Sequence, residues 1–392
     1  MTRYIVLRDR AKVWRRTTGP TAPFIAPAGG SLSGDPVIET ADLSPDALRA
    51  TMTDPDCLAV CPTMPTRLVQ PEPVDGMDAQ ATAPGWGVTA IGADQCPWDG
   101  AGCRMAVLDT GVDRQHPAFD GVGFVTRDFV GTGVTDANGH GTHIAGTILG
   151  RDLGGVRIGV ARGITDLMVA KTLSDSGLGC TGAFMEAFMW AVDQSADIAM
   201  FALSFDIAAQ VSALVEQGFP LVQANTAAVN AYRGNLRLFE LVTLMLPVAR
   251  RPLTIAAVGN DSLRFIADDF ETGPSAPAAS ERVLAVGAVA SDGETFSLAH
   301  FSNLSPALVG PGVGITSAAL GGESRALNGS SMAAAHVAGA AALWLQQMRN
   351  TGETVNANKL ANRLIQTAKD SGPCAALSRT ERGHGMVQVP QG

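Results

Sequence analysis

The stretch Asn328–Leu345 constrains this chain most. It opens on the turn signal Asn328-Gly329, passes through Ser330 and Ser331, and then runs almost unbroken through apolar residues. Ala333, Ala334, Ala335, Ala338 and Ala340 to Ala342 are the strongest helix formers available. A helix apolar on every side has to be buried, so the rest of the chain must close around it. The charge-free run Met332–Met348 contains His336 and two glutamines. It falls short of the roughly 20 clean residues a membrane span needs, and no span is expected. A serine at such a junction meets unpaired backbone N–H groups, which favour developing negative charge. An attacking serine oxygen needs that environment. A serine-capped buried helix looks the same in sequence, so the chemical reading depends on finding partners.

Bulk properties narrow the field. With 392 residues, 46% of them apolar, the chain can bury a large core, and the length suits one large domain plus a smaller one. A net charge of −9 without any basic run argues against a nucleic-acid partner. The first ten residues hold only a four-residue apolar run between charges, which does not make a secretory signal. A cytoplasmic location is therefore expected, with non-classical export left open. Without a signal, the six cysteines are expected as free thiols. Cys57 and Cys61 form one pair only, too few for a zinc site.

Residues 1–80 read as a small α+β unit. Strands are expected at Tyr4–Leu7, Val37–Thr40, Cys57–Val60 and Thr66–Val69, with a loop from Thr17 to about Pro36. Ser44-Pro45-Asp46 is a strong helix start, with a capping serine, proline at the first position and an acid in the first turn. From Gln70 to Pro84 the composition turns to Pro, Asp, Gly, Ala and Gln, which reads as a linker tail.

The partners of the serine lie further on. Arg104–Leu108 is a buried strand, and Asp109 stands at its C-terminal edge, where α/β sheets place their sites. A turn aspartate would look similar. Asn138-Gly139-His140-Gly141-Thr142-His143 then sets a histidine between glycines at the start of a tightly packed helix. His140 and His143 are three apart, but no glutamate stands between them as in zinc-protease helices. No metal site is assigned, and His143 reads as a hydrogen-bonded structural residue.

Asp109-Thr110-Gly111, His140-Gly141-Thr142-His143 and Gly329-Ser330-Ser331-Met332-Ala333 resemble the three signature stretches of subtilisin-like serine peptidases, in that family's order. The resemblance covers about residues 85–370. It implies an α/β fold, a three-layer catalytic domain (85–375) whose central, mainly parallel sheet is flanked by helices. Residues 376–392 are expected to form an irregular tail. The small N-terminal unit resembles the family's inhibitory propeptide, and its tail between Gln70 and Pro84 is expected to run through the groove and be cut by the enzyme itself. Asp109, His140 and Ser331 take the triad roles, so activity should fall on acidification as His140 gains a proton.

The resemblance also assigns a groove for an extended peptide or protein substrate. Gly177-Leu178-Gly179 matches one edge, and Ala202-Leu203-Ser204 with Phe205 the other. The family usually carries Ser-Leu-Gly-Gly at that second edge, so side chains at Ser204 and Phe205 should narrow or reshape the primary pocket. Gly259-Asn260 ends a buried strand; Gly259 is placed with the groove, and the Asn260 amide is expected at the oxyanion. Residues 206–251 exceed the simplest members and are expected as added helices, a lid, a docking surface or an inert elaboration. No organic cofactor is implied. The family admits structural calcium, although no dedicated acidic loop resembles a site. Two alternatives use the same residues differently: a peptide ligase or macrocyclase, and a catalytically silent peptide-binding protein.

Overall fold

The computed structural model describes residues 2–9, 34–73 and 85–391. The loop expected from Thr17 and the tail from residue 74 to Pro84 lie wholly or mostly outside them. In chain order the N-terminal part contributes β1 (Thr2–Asp9), β2 (Pro36–Leu43), α1 (Pro45–Thr53), β3 (Cys57–Pro62) and β4 (Pro65–Leu68). Next come α2 (Trp86–Ala90), β5 (Met105–Asp109), β6 (Gly123–Asp128), α3 (His140–Leu149), β7 (Asp166–Lys171) and β8 (Leu178–Cys180). They are followed by α4 (Thr181–Asp193), β9 (Ile198–Phe201), β10 (Leu203–Phe205), α5 (Ile207–Glu216), α6 (Leu221–Met245) and β11 (Leu253–Ala257). The chain closes with β12 (Leu284–Ser291), β13 (Phe296–Leu298), β14 (Leu308–Pro311), β15 (Ile315–Ala318), β16 (Ser324–Leu327), α7 (Ser330–Asn350) and α8 (Ala357–Thr367).

Eight strands form the central sheet in the order β13-β12-β11-β9-β5-β7-β6, with β14 also on β12. Every pairing is parallel except β12 with β13. A parallel sheet needs both faces covered, and its strands are accordingly apolar on both sides. Side chains alternate between two cores. Met105, Val107, Ile198, Met200 and Ile255 face the layer of α3 and α7. Ala106, Leu108, Ala199, Phe201 and Ala256 face the layer of α4 and α6. The result is the helix–sheet–helix sandwich expected.

The organising helix α7 is buried from Ser330 through Leu345. Its small residues let backbone come close: a Cβ on Gly339 would meet Val160 Cβ at 2.5 Å. His336 sits inside this packing, with Nδ1 2.8 Å from the Met332 carbonyl, and burial pushes its pKa down to about 4. An unfolded chain gains a proton on this ring below about pH 6.5, whereas the folded one resists until about 4. Stability is therefore complete above about pH 6.5 and falls on acidification through that window, by an amount on the order of 3 kcal/mol. Urea unfolding between pH 7 and 4 should show it. His336→Asn, which keeps a donor near Met332, should reduce the slope without abolishing it, because His143 is also buried with a lowered pKa; an unchanged slope would refute the assignment. Among the described residues no helix is long and apolar enough to cross a membrane.

Near the N-terminus, β2-β1-β3 make an antiparallel sheet, and Ser44 caps α1 by accepting from Ala47 N–H. The strand expected at Thr66–Val69 does not join that sheet. As β4 it leaves the small unit and pairs antiparallel with β8 and β10 of the large one. The expected 206–251 insertion is a helical hairpin, α5 and α6. Helix α6 carries part of the small sheet: Asn235 donates to the Pro62 carbonyl at 2.9 Å, and the Met245 carbonyl accepts from Gly34 N–H at 3.1 Å. The last residues, expected as an irregular tail, include one short helix, Arg379–Arg382, and are otherwise irregular yet packed: Val387 N–H donates to Val309 O, and Met386, Val387 and Val389 are buried.

Candidate active site

Asp109 ends β5 with its carboxylate fully buried. Its Oδ1 accepts from Thr110 N–H at 2.7 Å and lies 2.8 Å from His140 Nδ1. That contact fixes the ring and puts the Nδ1 proton toward the carboxylate, leaving Nε2 as the acceptor. His140 Nε2 is buried and has no hydrogen-bond partner among the described residues.

Local backbone sets this pairing. Gly139, at φ 95°, turns the chain into α3 in a left-handed conformation that suits glycine. Gly141 must be glycine: a Cβ there would lie 2.2 Å from the Gly111 carbonyl oxygen. Asp136, which sequence reasoning missed, ties the end of β5 to the start of α3. Its carboxylate accepts from Thr110 Oγ1, Asn138 N–H, Gly139 N–H, Thr142 N–H and Thr142 Oγ1 at 2.7–3.0 Å. The only signal was an aspartate ahead of Asn-Gly, which reads as an ordinary turn. His143 donates from Nε2 toward the Ile315 and Arg325 carbonyls at 3.0 and 3.2 Å. Burial, and secondarily its neighbour His140, pushes its pKa down to about 3, so it holds the β15–β16 hairpin as a neutral ring.

Ser331 lies in the first turn of α7, next to Ser330. Ser330 donates both N–H (2.9 Å) and Oγ–H (2.7 Å) to Asn260 Oδ1. With its carbonyl oxygen so held, Asn260 turns its amide Nδ2 outward. Gly259 is at φ 116°, and a Cβ there would lie 2.4 Å from Asn303 Nδ2. Its backbone bonds go to Ser330, Asn303 and their neighbourhood, and none reaches the groove strand.

The family model described as the subtilase family matches residues 100–386, well over half of the chain. The chain belongs to the subtilase family. It is 30% identical to subtilisin DY of Bacillus licheniformis over 295 residues, covering 73% of this chain and 92% of that protein. It is 30% identical to subtilisin-like protease 11 of Arthroderma gypseum, covering 69% of this chain and 60% of the relative. Against alkaline serine exoprotease A of Vibrio alginolyticus the identity is 30%, over 78% of this chain and 51% of the relative. The chain thus spans less than two thirds of the latter two. It is a subtilisin-like serine peptidase, a hydrolase, and its mixed α/β sandwich is the fold of that family.

In this subtilase the groove between the two expected edges holds the chain's own β4. Leu203, Ser204 and Phe205 pair with Leu68, Arg67 and Thr66. On the other side Leu178 and Gly179 pair with Arg67 and Thr66. The Ala202 carbonyl accepts from Val69 N–H at 3.0 Å, and the Gly177 carbonyl from Leu68 N–H at 2.8 Å. A Cβ on Gly177 would meet Leu68 Cβ at 3.1 Å, which is why the edge is open there.

Beyond β4 the chain passes the serine. Ser331 Oγ lies 3.4 Å from the Val69 carbonyl oxygen, and Asn260 Nδ2 donates to the Gln70 carbonyl at 2.8 Å. Glu72 N–H donates to the Asn328 carbonyl, and Asn328 Nδ2 to the Pro73 carbonyl at 2.9 Å. No hydrogen bond joins Ser331 Oγ to His140 Nε2 in this arrangement.

Side chains at Ser204 and Phe205 were expected to narrow or reshape the primary pocket, and the two take different directions. Strand alternation sends Phe205 the other way, into the core against Phe184 at 6.0 Å and Tyr232 at 6.3 Å. Ser204 stands opposite Arg67, buried, with its hydroxyl unpartnered among the described residues.

Proposed function

We propose that this subtilase is an endopeptidase in which Asp109, His140 and Ser331 act together through an acyl-enzyme. Ser331 Oγ attacks the carbonyl carbon of an extended peptide while His140 Nε2 takes its proton. His140 returns that proton to the leaving amine, and water repeats the sequence to free the acid. Asp109 holds the imidazole in the required tautomer and stabilises its cation. Asn260 Nδ2 and the Ser331 N–H face the developing oxyanion. The observation that carries this reading is the buried 2.8 Å contact of Asp109 with His140, which leaves Nε2 unpartnered. A fluorophosphonate probe should label Ser331 in the wild type and fail to label His140→Ala. A wild type that takes up no label even after long incubation at high dilution, when β4 has had time to detach, would sink the reading.

Asn260→Ala should lower kcat by about 10²–10³-fold with little change in KM, a magnitude taken from a subtilisin. Steady-state kinetics with one peptide decides it. A rise in KM of that size at unchanged kcat would make Asn260 a contact of equal strength in ground and transition states.

We also read residues 65–73 as a built-in inhibitor, with Val69–Gln70 the bond the enzyme cuts in itself. The 3.4 Å approach of Ser331 Oγ to the Val69 carbonyl supports this. The Asn260 amide sits on the next carbonyl along, so the resting strand must shift before the oxyanion donor meets the reacting carbonyl. N-terminal sequencing should find Gln70 at the start of a wild-type fragment and none in Ser331→Ala. Intact N-termini in both would defeat self-processing.

A further inference from the structure

The strand lying in the groove also displays what its subsites accept. Val69 N–H bonds to the Ala202 carbonyl and its own carbonyl lies nearest Ser331 Oγ, so Arg67 is the third residue before the bond facing the serine. The Arg67 side chain does not run free into solvent. Its Nη2 donates to Asp261 Oδ1, and its Nε lies 3.7 Å from Asp206 Oδ2. Both acids belong to the large domain and reach the same guanidinium from different segments: Asp206 follows β10, and Asp261 follows Asn260.

Each carboxylate is held by other bonds. Asp206 Oδ1 accepts from Ala209 N–H at 2.9 Å as the cap of α5. Asp261 Oδ2 lies within reach of Ser275 Oγ at 3.3 Å and Asn303 Nδ2 at 3.4 Å, while its N–H donates to Asn303 Oδ1 at 2.8 Å. Those bonds leave Asp206 Oδ2 and Asp261 Oδ1 turned toward the arginine. The side chains are partly shielded, Asp206 at 15% and Asp261 at 31% exposure, so the attraction is less screened than on an open surface. Two fixed acceptors oriented on one cation form a binding site whose order does not depend on the cation.

We propose that Asp206 and Asp261 form a subsite for a basic side chain at the third position before the cleaved bond. The inference rests on the endopeptidase reading for the word "cleaved", but not for the preference in binding. When β4 leaves the groove, the two acids face a substrate side chain in place of Arg67. Arginine, with its forked donors, fits the pair better than lysine, and a glutamate there meets repulsion.

The test uses the full chain and peptides copying residues 65–73, with Arg, Gln or Glu at the position of Arg67. In the wild type the arginine peptide should have a kcat/KM about tenfold above the glutamine peptide, the range of one charge-assisted hydrogen bond. The glutamate peptide should fall below both. Asp206→Asn combined with Asp261→Asn should bring the Arg-to-Gln ratio toward one, and Asp261→Arg should invert the order of Arg and Glu. In parallel, Ser331→Ala combined with Arg67→Glu, which loosens the resident strand, gives relative affinities for fluorescent versions of the same peptides with no bond breaking, since the resident strand competes equally with each. The same order in binding supports the subsite even if no peptide is hydrolysed, in which case the endopeptidase reading alone fails. Equal affinities for Arg and Gln peptides, or a ratio unmoved by the aspartate variants, overturn it. In that outcome the Arg67 pair serves only to moor the N-terminal unit.

Discussion

Alanine in place of Ser331 lowers kcat for a peptide substrate by about 10⁶-fold, the magnitude found in a subtilisin. The loss is this large because the oxyanion donors and the histidine have nothing to act on once the nucleophile is gone. Folding should hardly notice. The serine hydroxyl makes one long bond, 3.4 Å to the Val69 carbonyl, and the first turn of α7 is kept by backbone bonds and by Ser330 on Asn260. Turnover and thermal unfolding of the two proteins, measured on matched preparations, check the claim. A variant retaining more than about a hundredth of wild-type kcat would remove Ser331 from the mechanism.

Asp109→Asn lowers kcat by about 10⁴-fold, the magnitude found for the corresponding change in a serine protease. Asp109 Oδ1 accepts from Thr110 N–H at 2.7 Å and faces His140 Nδ1 at 2.8 Å, while Oδ2 has no hydrogen-bond partner among the described residues. An asparagine can keep its oxygen at the Oδ1 position, but it carries no charge. The imidazolium formed when His140 takes the serine proton then lacks its buried counter-charge. Little volume changes, so KM and the melting temperature should move far less than kcat. A loss in kcat matched by a collapse in stability would point to misfolding of the β5 edge and against the charge account.

The sequence made some of this arrangement legible and hid the rest for definite reasons. Asp109, His140 and Ser331 could be named because each is a reactive side chain set among glycines or alanines that pack closely. β5 could be read as a buried strand from its continuous apolar character. By contrast, Pro65–Leu68 is four residues long and carries no local mark of the strands it will pair with, so its departure from the small sheet was invisible. The direction of Phe205 was not legible because facing along a strand depends on parity, and a shift by one position exchanges one face for the other. Asp136 was missed because four of its five accepted hydrogen bonds come from within the next six residues, as in an ordinary turn, and only the bond from Thr110 Oγ1 ties it to the site. Helix α6 was visible as a helix, but its role as a seat for the small sheet depends on Asn235 reaching Pro62, 173 positions away.

The Asn328 side chain carries a further consequence. It grips the chain at Pro73 with one atom while its oxygen, 2.7 Å from Gly314 N–H, is locked into the hairpin before the serine. Scission after Val69 would therefore leave both new ends moored, one by β4 and the other by this clasp. The severed protein would run as two bands when denatured and as a single particle when native. Awakening would then be timed by detachment of the pieces, and a diluted sample would gain activity with a lag that outlasts the cut.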